Sequence, residues 1–199
     1  MHRLPARTSR TRPIGLAVSA SALALALSSA PVLLASTSAQ ASTHRTAAHP
    51  ALQARAFAAC SKLQGAVDSI SGTKVKLETG SSSLYPTKLG QGSVALCIYG
   101  AMPALIELAN YTFAKAITAA QAQQAVNGAI AKSTAGGVHF QVSPYPGLGF
   151  TAYQIHISEG GFAINGVEGY AGNHAFGAVA FLKIATSKLG ALCKLAQGL

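Results

Sequence analysis

Acidic side chains are scarce in this chain. Five Asp and Glu stand against fifteen Lys and Arg over 199 residues, and tryptophan is absent. Carboxylates for acid–base chemistry are therefore limited to Asp68, Glu78, Glu107, Glu159 and Glu168. The three cysteines form no CxxC and no Cys–His cluster at ligand spacing, which argues against a zinc site. The GxSxG turn of serine hydrolases is also missing. No motif implies a cofactor. The lysines at 62, 74, 76, 88, 115, 132, 183, 188 and 194 make no tract, and beyond the first forty residues only Arg45 and Arg55 remain. Nucleic acid recognition leans on clustered arginine with interleaved aromatics, so this pattern argues against it. No long internal repeat is visible.

What the chain does have begins with Arg3, Arg7, Arg10 and Arg12, an apolar run from about Ile14 to Ala35, and Ala39-Gln40-Ala41. A basic start, an apolar core and a small-x-small triplet are the parts of a secretory signal, with cleavage expected after Ala41. About twenty apolar residues can also span a bilayer, but Ser28, Ser29 and Pro31 weaken the run as an anchor. Thr11 separates Arg10 from Arg12, so the strict twin-arginine signal is absent, and no cysteine follows the run to accept a lipid. Removing the four signal arginines leaves eleven Lys and Arg against five acids, a surplus of six. Such an excess suits an anionic polymer or lipid surface in an exported protein, although it also serves plain solubility. Residues 42–50 lack periodicity and read as a disordered lead. Residues 51–199 have the length of one domain.

Within that domain, Leu52, Ala56, Cys60, Leu63, Val67 and Ile70 recur at helical steps and predict a helix over 51–71, ended by Gly72. Val75, Leu77 and Thr79 alternate as a strand, the Ser- and Gly-rich stretch 80–92 reads as a loop, and Val94, Leu96 and Ile98 form a second strand with Cys97 on its other face. The segment from Leu105 toward Tyr111 and Phe113 is a third strand, with a helical alternative left open by its alanines. Thr118 and Gln121 have capping-box spacing before a helix over 119–132, and Gly136-Gly137 closes it. Val138, Phe140 and Val142 make a strand stopped by Pro144. Two strands, 151–158 and 162–168, then pair as an antiparallel hairpin through Glu159-Gly160-Gly161, with Gly166 marking a bulge. Asn173 is placed to cap a long final helix on which Ala178, Phe181, Leu182, Ala185, Leu189, Leu192 and Ala196 share a face, with Lys188 and Lys194 suiting its negative end. The expected class is α+β, a single antiparallel sheet packed by N-terminal, central and C-terminal helices.

Several residues are candidates for chemistry or binding. Glu159 and Glu168 flank one hairpin, and a glycosidase-like carboxylate pair would need them to converge; a turn and a strand end are otherwise ordinary solvated places. His139 and His156 fall on the polar sides of strands and become neighbours if those strands pair, though a metal needs a third ligand. Tyr145, Phe150, Tyr153, Phe162 and Tyr170 crowd one region of an aromatic-poor chain and are the candidate lining of a small-ligand site. Cys60, Cys97 and Cys193 allow three pairings, of which Cys60 with Cys97 would tie helix to sheet. Cys193 sits beside Leu189 and Leu192 on a helical stripe, the place of a buried, inert thiol.

Cys60-Ser61-Lys62-Leu63, Cys97-Ile98-Tyr99 and Gly147-Leu148-Gly149 before Ala152-Tyr153, followed by an apolar terminal helix, resemble the landmarks of a group of secreted actinobacterial domains. These are domain-of-unknown-function family 3558 and the related extracellular sensor domain of mycobacterial PknH-type kinases. The resemblance spans about 60–195. It implies an α+β domain with an antiparallel sheet and a Cys60–Cys97 disulfide, with no established catalysis. Departures from the family are the missing lipid-acceptor cysteine, Phe150 where the family has an acid, and the extra Cys193. The functional expectation is an exported, non-catalytic envelope or extracellular domain that binds a small molecule, lipid or envelope component, touching membrane only through its signal or peripherally. The alternatives are a protein-interaction or structural module, and a hydrolase using Glu159 and Glu168.

Overall fold

A computed structural model describes residues 50–87, 90–101, 103–135, 139–159 and 162–199. The chain opens with helix α1 (Pro50–Ser71), whose Ala56, Cys60 and Val67 are buried at helical spacing. Gly72 ends it at φ +76°, a left-handed position that glycine takes without steric cost, and its N–H donates to the Asp68 carbonyl. Strands β1 (Leu77–Thr87), β2 (Gly90–Tyr99) and β3 (Ile106–Thr112) then run as an antiparallel meander. Helix α2 (Ala119–Ala135) crosses to the far side, and β4 (His139–Pro144), β5 (Thr151–Glu159), β6 (Phe162–Ala171) and β7 (His174–Ala180) form a second meander before helix α3 (Thr186–Gln197). The meanders join through β3 and β7, giving one seven-stranded antiparallel sheet in the order β1-β2-β3-β7-β6-β5-β4. The expected α+β class holds.

The sheet is covered on both faces. On one, Cys97, Tyr99, Ile106, Leu108, Val167, Phe176 and Ala178 pack against Cys60 and Val67 of α1 and Leu189, Leu192, Cys193 and Ala196 of α3. On the other, Phe113, Tyr153, Ile155, Tyr170 and Ala175 pack against Ala122 and Val126 of α2. The α2 start is the anticipated capping box: Gln121 N–H donates to Thr118 Oγ1 at 3.2 Å, and Thr118 N–H to Gln121 Oε1 at 2.9 Å. The Cys60–Cys97 disulfide is present, with Cα atoms 5.5 Å apart, and Cys193 is a buried free thiol. Beside the bridge, Tyr99 Oη donates to the Cys60 carbonyl at 2.7 Å.

Three sequence expectations are corrected. The first concerns the final helix, which starts at Thr186 instead of following Asn173; residues 174–180 are strand β7. Ala175, Phe176, Ala178, Val179 and Ala180 are all buried because β7 is covered on both sides, so the period-two signal vanishes and an alanine-rich apolar run imitates a helix. Asn173 caps nothing: its Nδ2 donates to the Phe113 carbonyl at 2.8 Å, stitching the β6–β7 turn to the end of β3. Lys188 consequently lies in the first turn of α3, where its Nζ donates to the Ser71 carbonyl at the end of α1. Second, the expected loop over 80–92 is largely strand, with β1 and β2 in register as far as Thr87 opposite Gly90. β1 is an edge strand, where Pro86 and a serine-rich wet face are tolerated. Third, Gly166 makes no bulge. The β5–β6 register runs unbroken through Ile155 opposite Gly166, and a Cβ there would lie 3.1 Å from the Ala178 carbonyl oxygen, so glycine permits close approach of β7. The turn glycines Gly136, Gly137, Gly160 and Gly161 lie outside the described residues.

Candidate functional site

The five aromatic candidates do not line one concavity, because the sheet passes between them. Tyr153 and Tyr170 project to the α2 face, ring centroids 6.2 Å apart and edge-on, and Tyr153 Oη donates to Gln123 Oε1 of α2 at 2.9 Å. Tyr145 and Phe150 belong to the opposite face. Tyr145 Oη donates to the Thr186 carbonyl at 3.3 Å, and a Cβ at Gly190 would lie 2.6 Å from that hydroxyl, so α3 sits flush against the ring. Phe150 packs edge-on to Phe176 at 4.8 Å and fills the space over Gly169. Phe162 opens β6, and its side chain lies outside the described residues. These aromatics are mainly core. The split follows from strand parity and the fold-back of the 145–150 loop, neither visible as composition.

Glu159 and Glu168 do not converge either. Glu159 is opposite Phe162 and Glu168 opposite Tyr153, six register positions away along β5, or about 20 Å. Nor is Glu168 solvated: it lies on central strand β6 opposite Gly177, 7 % exposed. Burial pushes its carboxyl up to about 8, and the hydrogen bond from Tyr170 Oη at 2.9 Å only partly offsets this. Burial first, then the adjoining Glu168, raises the Tyr170 hydroxyl well above its ordinary range. Glu107 is buried on the same face, on the other side of β7 opposite Val179. Among the acids whose side chains are described, Glu107 and Glu168 thus lie within the fold. That burial had no sequence signal once β7 was read as helix.

The histidines do come together in part. With β4 and β5 paired, His139 stands opposite Ser158 and His156 opposite Gln141, diagonal neighbours on one face. His156 Nδ1 is 2.8 Å from Asn165 Oδ1, and His139 is exposed on the edge strand. Among the described residues no group of three or more His, Cys, Asp or Glu could hold a metal ion.

Burying carboxylates changes the surface. Asp68 is occupied structurally, its Oδ1 accepting from Val75 N–H at 2.9 Å and Gln64 Nε2 at 3.1 Å, and Glu78 is exposed. Opposed to them, Arg55, Lys62, Lys74, Lys76, Lys115, Lys183 and Lys194 are all exposed. Arg55 and Lys62 lie on α1 and Lys194 on α3. These two helices run antiparallel, with Lys188 at the end of α1 and the end of α3 beside Arg55 and Lys62. A shallow depression of about 420 Å³ opens between them, lined by Arg55, Ala58, Ala59, Lys62, Leu63, Gly198 and Leu199. Its signal in the sequence was the spacing of Arg55, Ala58, Ala59 and Lys62, which puts them on one outward arc of the helix. Among the described residues no helix is long and apolar enough to cross a membrane, and the disulfide is compatible with an extracellular location. No protein-family model matches this chain, and no curated protein matches it.

Proposed function

We propose that this chain is an exported, non-catalytic domain that binds an anionic component of the cell envelope. The carrying observation is the distribution of charge: among the described residues Glu107 and Glu168 are buried while seven Lys and Arg side chains are exposed, so this surface is more cationic than the composition implies. The export part of the reading rests on the arginine-rich start, the apolar run and Ala39-Gln40-Ala41. Hydrolysis by Glu159 and Glu168 loses its basis in the β5–β6 register. The resemblance to the secreted actinobacterial domains, which carries no established catalysis, is compatible with the reading.

The test takes protein purified from the exported fraction and measures its binding to two probes, vesicles containing anionic phospholipid and soluble polyglutamate. Binding to at least one, weakening steadily as sodium chloride is raised, is the expected result. Absence of binding to both at low salt, or failure to find the protein in the exported fraction, would defeat the reading.

A further inference from the structure

We infer that the depression between α1 and the end of α3 is a docking site for an anionic phospholipid at a membrane surface, a conclusion that rests on the anionic-component reading above and names its site. Arg55 and Lys62 are seven residues apart on one helix, close to two full turns, so both cations stand on the same arc about 10 Å apart. That distance lets them share one phosphate headgroup or engage two adjacent ones. No Asp or Glu side chain is among the residues that line the depression. The guanidinium offers paired N–H donors to phosphate oxygens, and the lysine adds a mobile point charge.

The rest of the lining separates a lipid from a soluble polyanion. Ala58, Ala59, Leu63 and Leu199 are apolar, and Gly198 adds only backbone. A glycan or polyphosphate in water would leave those walls unused, whereas the glycerol and first acyl carbons of a phospholipid would cover them. A peripheral site that sets cations beside an apolar wall binds through electrostatics and shallow apolar insertion together. Because α1 is bridged to β2 by Cys60–Cys97 and its Ser71 carbonyl is held by Lys188, this surface is presented by a rigid element.

The experiment measures partitioning of the full chain onto vesicles of phosphatidylcholine with about one-third phosphatidylglycerol, and onto phosphatidylcholine alone, for three proteins. These are the wild type, the double variant Arg55→Ala with Lys62→Ala, and a charge-matched control, Lys74→Ala with Lys183→Ala. Each cation held at an anionic surface is worth about fivefold in partitioning. The first pair should therefore lose about 25-fold and the control less than about fivefold, with inorganic phosphate failing to displace the protein. All the altered side chains are exposed, and circular dichroism verifies the fold. Equal losses from both pairs would overturn the site while leaving the broader reading intact. Binding to polyglutamate but not to vesicles would overturn the lipid and leave an anionic polymer as the component. Displacement by free phosphate would make this an anion site unconnected with membranes, and binding to no probe would defeat both readings.

Discussion

Glu168 holds a proton in the folded protein over a range where the unfolded chain has lost it. Its carboxyl is raised from 4.5 to about 8, so between these values the native state binds more protons and stability falls as pH rises. Below about 4.5 the contribution is fully present; above about 8 it is gone. The slope attributable to this residue is about 1.4 kcal/mol per pH unit. Denaturant melts of Glu168→Gln at pH 5, 6.5 and 8 should show that slope removed, because the amide keeps the shape and can still accept from Tyr170. An unchanged slope would assign the pH response elsewhere. Cys193 is governed by the same physics: burial, then the nearby Glu168, pushes its thiol up to about 12. Iodoacetamide at pH 8 should leave native protein unlabelled and modify a single thiol only after unfolding without reductant, which mass spectrometry would count. Labelling of the native protein would contradict an inert core role.

At the scale of elements, the contact of α1 with the edge strand is set by one missing side chain. A Cβ on Gly80 would lie 2.6 Å from the Phe57 Cα and 3.0 Å from Cys60 Sγ, so the helix rests directly on the strand backbone. Gly80→Ala cannot be relieved by a rotamer change, since the nearest atom is backbone, and should destabilise by about 1–3 kcal/mol in urea unfolding. A neutral outcome would mean that α1 shifts freely on β1. The same helix was legible in the sequence because its exposed and buried arcs differ in chemistry, as was α2 through Thr118 and Gln121. Strand β7 was not. Its two faces are both apolar, and seven residues of His-Ala-Phe-Gly-Ala-Val-Ala contain no periodic contrast from which to choose strand over helix. Edge strand β1 failed for the opposite reason, being so polar that its serines resembled a loop.

For the whole molecule, the disulfide is the covalent tie between the helix pair and the first meander. It joins residues 37 apart, and the loop-closure argument assigns it about 4 kcal/mol, a large share of the stability typical of a domain. Replacing Cys60 and Cys97 together by serine should lower the unfolding free energy by about that amount, read from chemical denaturation. A loss below about 1 kcal/mol would show that the two-sided core alone holds α1 in place. The surface charge is likewise a property of the whole. Composition supplied only the surplus of basic residues.

Taken alone, the sequence determined the α+β class, α1, α2, the β5–β6 pair and the small stock of acids, because these depend on local periodicity, capping chemistry and counting. It also marked the apolar run and triplet that lead to the export proposal. Tertiary structure alone decided that β3 and β7 pair at the centre, and this pairing converts a helix-like run into a strand. It decided that Tyr153 and Tyr170 part company with Tyr145 and Phe150, and that Glu107 and Glu168 leave the surface. The reason is common to all three. Which face a side chain occupies, and whether water reaches it, depends on residues distant in sequence that cover the sheet from either side, and no local pattern encodes those partners.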